Sequence, residues 1–116
     1  MSTTNEPWGN TVEVEFEDNI AFVFFNRPDK KNCMSPALNR EMYATLHALE
    51  LDERCKVVVL TGRGEAWSAG MDLKEYFRET DNKSDAFKMH TREESQAWQQ
   101  IKLRFHAKPT IAMVNV

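Results

Sequence analysis

Cysteine is scarce, with Cys33 and Cys55 the only two in 116 residues. Two are too few for a disulfide framework, and no histidine stands at metal-ligand spacing from either. Both read as reduced, buried or half-buried thiols. Long apolar runs are missing too. The longest, residues 20–25, is far shorter than the roughly 20 residues a membrane helix needs. Residues 1–10 form a polar extension without the apolar core of a signal peptide. Positive charge is not in excess: 15 Lys and Arg stand against 18 Asp and Glu, a formal net charge of −3. That balance gives no electrostatic case for nucleic acid or an anionic membrane. Internal repeats and low-complexity segments are absent. What remains is one domain's worth of chain or less, with the cytoplasm as the expected compartment.

Strand signals, by contrast, are plentiful. Residues 11–17 alternate strictly, so Val12, Val14 and Phe16 share one face. Asp18 and Asn19 are a turn pair that tolerates left-handed backbone. Residues 20–25 return as a strand expected to be fully buried. Residues 26–31 are a loop in which Pro28 pushes Arg27 toward an extended conformation. Ser35 before Pro36 is an N-cap followed by the favoured first-turn proline. Leu38, Met42, Leu46 and Leu49 then recur at helical spacing, which predicts a helix to about Glu50. The β-branched run at residues 56–61 predicts a strand buried on both faces. Strand, helix, strand in that order implies a crossover, so this strand is expected parallel to the sheet.

Residues 79–85 are the most polar and least periodic stretch, and predict a mobile loop. Residues 86–108 predict a helix with Ala97, Ile101 and Phe105 four apart and Trp98 beside them, stopped by Pro109. Residues 110–116 predict a further strand. His47, His90 and His106 show no ligand spacing and read as surface groups.

The stretch that organises the chain is Glu65-Ala66-Trp67-Ser68-Ala69-Gly70-Met71-Asp72-Leu73-Lys74-Glu75-Tyr76. It joins the buried strand to a short helix, for which Asp72 and Glu75 are spaced as a capping box. Such a junction aims backbone N–H groups and the positive end of a helix dipole at one point. Gly70 lets a ligand or another backbone approach closely. The Met71 N–H stands where it could donate to a developing oxyanion. An ordinary strand–loop–helix connection is the alternative.

Ala69-Gly70-Met71-Asp72-Leu73 resembles the A-G-x-D-[LI] segment of the crotonase (enoyl-CoA hydratase/isomerase) superfamily. Three other stretches match in order. Residues 20–28 resemble the family's first hairpin strand followed by N-R-P. Asn32-Cys33-Met34-Ser35 resembles its N-[AS]-[ML]-[ST] helix start. Lys108-Pro109-Thr110-Ile111-Ala112-Met113-Val114-Asn115 resembles its K-P-[TV]-I-A-x-[VI]-x strand. Within the superfamily, Glu65-Ala66-Trp67 and residues 72–79 are most similar to the feruloyl-CoA (p-hydroxycinnamoyl-CoA) hydratase-lyases.

The resemblance implies an α/β fold, the N-terminal part of a crotonase-type spiral of β–β–α units. It implies hydration of a 4-hydroxycinnamoyl-CoA, then cleavage to a hydroxybenzaldehyde such as vanillin plus acetyl-CoA. CoA belongs to the substrate, no metal or redox cofactor is implied, and the family assembles as homotrimers or hexamers. Met71 would be one of two backbone donors to the thioester oxygen. Ala69, Gly70, Met71, Asp72, Leu73 and Lys74 would lie along the CoA, with backbone groups near Ala69 reading the adenine. Lys30 and Lys74 would meet the CoA phosphates, and Tyr76 the ring hydroxyl.

Each residue also has a plainer reading. The Met71 N–H bonds within its loop, Ala69 and Gly70 are small for packing, the lysines are solvated, and Tyr76 packs on the core. Trp67 is expected to pack under the loop. Glu65 and Glu75 flank the loop without a motif that suits them to acid/base work.

The resemblance places the family's acid/base Glu and its second oxyanion donor, on a Gly-rich turn, beyond Asn115. Here Val116 stands where that turn would begin. Residues 1–116 are therefore expected to form an incomplete domain, inactive and poorly soluble alone. A generic enoyl-CoA hydratase and a non-catalytic truncated chain are the alternatives.

Overall fold

Strict alternation makes the first hairpin. In a computed structural model, which describes residues 8–115, β1 (Val12–Glu17) pairs antiparallel with β2 (Ile20–Phe25). Asp18 and Asn19 both take positive φ, 51° and 67°, the backbone that a tight two-residue hairpin turn demands. Most of the polar extension, residues 1–7, and Val116 lie outside the described residues.

β2 is buried on one face only. Ala21, Val23 and Phe25 are buried, while Ile20, Phe22 and Phe24 are partly exposed. The fully buried strand expected from its apolar run is therefore corrected. On the outer face the Arg63 guanidinium lies 3.6 Å from the Phe24 ring centre.

The crossover helix α1 (Pro36–Leu49) starts as expected, with the Ser35 hydroxyl accepting from the Leu38 N–H at 3.1 Å. Its stripe of Leu38, Met42, Leu46 and Leu49 is fully buried, and packs with the inner face of the sheet into one core. β3 (Val57–Gly62) then pairs parallel with β2, and β4 (Thr110–Ala112) parallel with β3, giving the order β1-β2-β3-β4. The strand expected over residues 110–116 keeps only its first three pairs. Beyond them Met113 donates to Leu60 O, and the Asn115 amide bonds the N–H and C=O of Gly62 and the C=O of Gly64.

The loop expected over residues 79–85 is shorter than predicted: only residues 81–84 lie outside helices. Glu79 and Thr80 complete α2 (Leu73–Thr80): Glu79 pairs with Arg40 at 2.8 Å, and the buried Thr80 hydroxyl donates to Tyr76 O. The chain turns at Asn82, at φ 62°, and Ser84 caps α3 (Asp85–Gln96) by accepting from Phe87 N–H at 3.1 Å. Polar composition hid a cap signal, since serine before aspartate is a normal helix start.

The helix expected over residues 86–108 also changes character. After α3 it widens into a π-helical segment, Ala97–Lys102, in which Leu103 N–H reaches back to Trp98 O. Widening shifts the phase of the side chains. Trp98 turns inward, but Ile101 and Phe105, expected on the same stripe, are 59% and 71% exposed.

Residues 106–108 are then tied to the C-terminal end of α1. The half-buried His106 donates from Nε2 to Leu46 O at 2.8 Å, which corrects its surface reading. Lys108 Nζ donates to Leu49 O and Asp52 O, where a cation suits the helix terminus. His47 and His90 are exposed, as expected. Among the described residues no helix is long and apolar enough to cross a membrane.

Candidate functional site

The site grows from the end of β3. A Cβ on Gly62 would run into Ala66 O, Asn32 Nδ2 and Trp67 O, so only glycine lets the following loop fold back over the strand end. Asn32, fully buried, fastens that loop. Its Oδ1 accepts from Arg27 N–H at 2.8 Å, and its Nδ2 donates to Arg63 O at 2.9 Å and Ala66 O at 2.7 Å. Trp67 packs edge-on against Phe25, ring centres 5.1 Å apart, so it does lie under the loop.

The hydrogen bonds of the next residues single out one donor. Ala69 N–H donates to Lys31 O at 2.9 Å, and Gly70 N–H to the Ser68 hydroxyl at 3.1 Å. Met34 and Met71 form an isolated parallel bridge, in which Met34 N–H donates to Gly70 O and Asp72 N–H to Met34 O. In such a bridge the central residue turns its own N–H away from its partner. Among the described residues the Met71 N–H accordingly has no hydrogen-bond partner. Gly70 sits at φ +104° with nothing within 4 Å of an added Cβ. Backbone angle, not close packing, requires glycine there.

Arg27 holds the far side of the loop. Its guanidinium donates to Cys33 O at 2.6 Å and pairs with Asp72 at 2.8 Å, both side chains 13% exposed. Asp72 also caps α2 by accepting from Glu75 N–H at 3.1 Å. The expected capping box is only half formed. Asp72 N–H is taken by Met34 O, and Glu75 turns to Arg78 instead.

Burial pushes the Asp72 carboxyl up, but the Glu75 N–H, the Arg27 guanidinium and nearby Lys30 outweigh it and hold it below its ordinary 3.8. A depressed carboxylate stabilises the fold above its unfolded-state pKa, and that stabilisation fades as pH falls through the lower folded value. Asp72→Asn should therefore lose stability at neutral pH and show a shallower acid limb. Urea midpoints measured from neutral pH down to about 2 check this; parallel curves for both proteins would refute it.

Lys30, Leu73 and Lys74 are exposed beside this loop, Lys30 at the end of the short helical turn Pro28–Lys30. Tyr76 lies one turn into α2. A cavity of about 250 Å³ brings it together with Gly70 and Met71, and is also lined by Met34, Asn39, Ser95 and Gln99. A larger neighbouring cavity, against Phe25, Trp67 and Trp98, shares Met34, Gly70 and Gln99 with it. Another lies across β1 by Trp8 and Arg63, away from the loop. Among the described residues no three His, Cys, Asp or Glu side chains gather as a metal-binding set.

Arg27, Asn32 and Asn39 carry the site's architecture, yet their roles are not evident from the sequence pattern. One signal was present. Asn39 falls on the stripe of Met42, Leu46 and Leu49, and a polar residue on a buried stripe needs partners. It finds them in Tyr76 and Trp98.

The sequence profile of the enoyl-CoA hydratase/isomerase family matches residues 15–115. Hydroxycinnamoyl-CoA hydratase-lyase of Pseudomonas fluorescens is 58% identical over 115 residues, 99% of this chain and 41% of that protein. 4-Chlorobenzoyl coenzyme A dehalogenase-2 of an Arthrobacter species is 42% identical over 64 residues, 55% of this chain and 23% of its own length. The crystal structure of an enoyl-CoA hydratase from Bacillus anthracis superposes with a TM-score of 0.77 at 25% identity, over 91% of this chain and 40% of that one. This chain thus spans about two fifths of the length of the curated relatives it matches most fully. Profile, identity and fold agree: the chain belongs to the enoyl-CoA hydratase/isomerase (crotonase) family.

Proposed function

We propose that a full-length protein carrying this sequence is a hydratase-lyase for 4-hydroxycinnamoyl-CoA thioesters such as feruloyl-CoA. The observation that carries this reading is the meeting of the unpartnered Met71 N–H and the Tyr76 hydroxyl at one cavity. A thioester oxygen at the first and a ring hydroxyl at the second would fix both ends of such an acyl group. The identity to hydroxycinnamoyl-CoA hydratase-lyase supports the same choice.

Water adds across the double bond, hydroxyl to C3 and proton to C2. Cleavage of the C2–C3 bond then releases the aldehyde, vanillin from feruloyl-CoA, and acetyl-CoA after protonation at C2. Both steps pass through negative charge on the thioester oxygen, so one fixed N–H donor serves both. Electrons balance without an oxidant or reductant, and the reaction calls for no metal. No Asp or Glu lines this cavity, and Asp81 lines a second one that Met71 and Tyr76 share; the acid/base Glu is assigned, as the family resemblance implies, beyond Asn115. Lys30 and Lys74 meet the CoA phosphates in this reading, and the loop from Ala69 through Asp72 and Leu73 runs along the cofactor portion of the substrate. Homotrimeric or hexameric assembly in the cytoplasm, as implied by the family resemblance, completes it.

Tyr76→Phe is the test of substrate class. It should lower kcat/KM for 4-hydroxycinnamoyl-CoA about tenfold, one hydrogen bond's worth, and leave cinnamoyl-CoA, which lacks the ring hydroxyl, nearly unchanged. Equal losses on both would reduce Tyr76 to a packing residue. Faster turnover of crotonyl-CoA than of feruloyl-CoA by the unaltered protein would favour a generic enoyl-CoA hydratase.

A further inference from the structure

Trp98, Asn39 and Tyr76 lie on one chain of hydrogen bonds, and the chemistry of its first member sets the direction of the rest. An indole N–H only donates. Trp98 Nε1 lies 2.8 Å from Asn39 Oδ1, so the carbonyl end of the amide is held toward the tryptophan. The NH2 end then faces Tyr76 and donates to its hydroxyl oxygen at 2.8 Å. Asn39 is fully buried and Trp98 is 4% exposed, so water does not compete for either amide end. The Tyr76 oxygen is thus committed as an acceptor inside the protein, and its proton must go elsewhere. Among the described residues nothing accepts that proton, and Tyr76 lines the cavity with Met71.

We infer that Trp98 and Asn39 are positioning residues that make Tyr76 a one-way donor toward the substrate's ring oxygen, selecting the 4-phenolate over the neutral phenol. This rests on the hydratase-lyase reading and deepens it. A hydroxyl without this anchor either donates or accepts and serves both ring forms. A hydroxyl fixed as donor favours the ring form with the more basic oxygen, because hydrogen bonds to charged groups are the stronger ones. The buried Trp98 that starts the chain lies on the π-helical segment Ala97–Lys102.

The experiment uses the full-length protein and 3-(4-hydroxyphenyl)propanoyl-CoA, a saturated analogue with no double bond to hydrate, labelled with 13C at ring C4. Its chemical shift is titrated against pH while bound. Asn39→Asp keeps the shape but offers two acceptor oxygens, so Trp98 and Tyr76 both donate to it and the ligand loses its donor. The acid dissociation constant of the bound phenol should fall roughly ten- to a hundredfold. Affinity for 3-phenylpropanoyl-CoA, which has no ring oxygen, should not move. Trp98→Phe releases the amide while keeping an aromatic ring in the core, and should give a smaller fall in the same direction; it also serves if the first variant does not fold. An unchanged phenol in both variants, or in the one that folds, would overturn the inference while leaving the hydratase-lyase reading intact. Failure of the unaltered protein to bind either analogue would overturn both.

Discussion

Proline in place of Met71 should abolish turnover in the full-length protein, and leucine there should leave most of it. The two substitutions separate backbone from side chain. The Met71 side chain is 56% exposed and, among the described residues, makes no polar contact that leucine would forfeit. The N–H is different. Among the described residues it has no partner, so proline removes no hydrogen bond seen there and takes away the donor proposed for the thioester oxygen. Loss of one such donor typically raises the barrier by about 2.7–4 kcal/mol, on the order of 10²–10³ in rate. Gly70 precedes it at φ +104°, a residue free of the Cβ clash that a proline imposes on its predecessor. Circular dichroism and melting curves on both variants show whether the fold survives. If the leucine protein is folded and as inactive as the proline protein, the donor role of this N–H is wrong.

Asn32→Ala should unfold the protein at markedly lower denaturant. One side chain satisfies Arg27 N–H, Arg63 O and Ala66 O, and it is wholly buried. Truncation strands all three groups at about 1–3 kcal/mol each, lessened where water fills the vacated space. Asn32 also sits at φ 57°, where alanine is strained by about 1 kcal/mol more than asparagine. A total of about 3–5 kcal/mol is expected, against the 5–15 kcal/mol that typically holds a domain together. Urea unfolding of the full-length protein reads it directly. A loss under about 1 kcal/mol would mean that the loop over β3 is held by something else.

Elements whose signal is local were legible in the sequence. The hairpin follows from alternation and the Asp18–Asn19 pair, α1 from a cap and one unbroken stripe, and β3 from a β-branched run. Misreadings came where partners distant in sequence decide. Nothing within residues 79–85 shows that Glu79 meets Arg40, so the loop of residues 81–84 was drawn too wide. Nothing in the spacing of Ala97, Ile101 and Phe105 announces a π-helical turn, so the stripe was assigned to the wrong residues. His106 needs α1 as its acceptor. The site divides the same way. The junction around Met71 is a contiguous motif and can be read directly. The bond that orients Tyr76 begins at a tryptophan 59 residues from its asparagine, a distance no pattern spans.

The bridge between Met34 and Met71 also divides two adjacent amides by their accessibility to solvent protons. Asp72 N–H is locked onto Met34 O at 3.0 Å, while Met71 N–H, one residue earlier, has no partner among the described residues. In deuterated water Asp72 should exchange only when the loop opens, and Met71 far faster, without any opening. Addition of a non-reacting CoA thioester should slow the second amide and barely touch the first. A loop that closed around its ligand would protect both together; selective protection of Met71 marks a donor already in place before the substrate arrives.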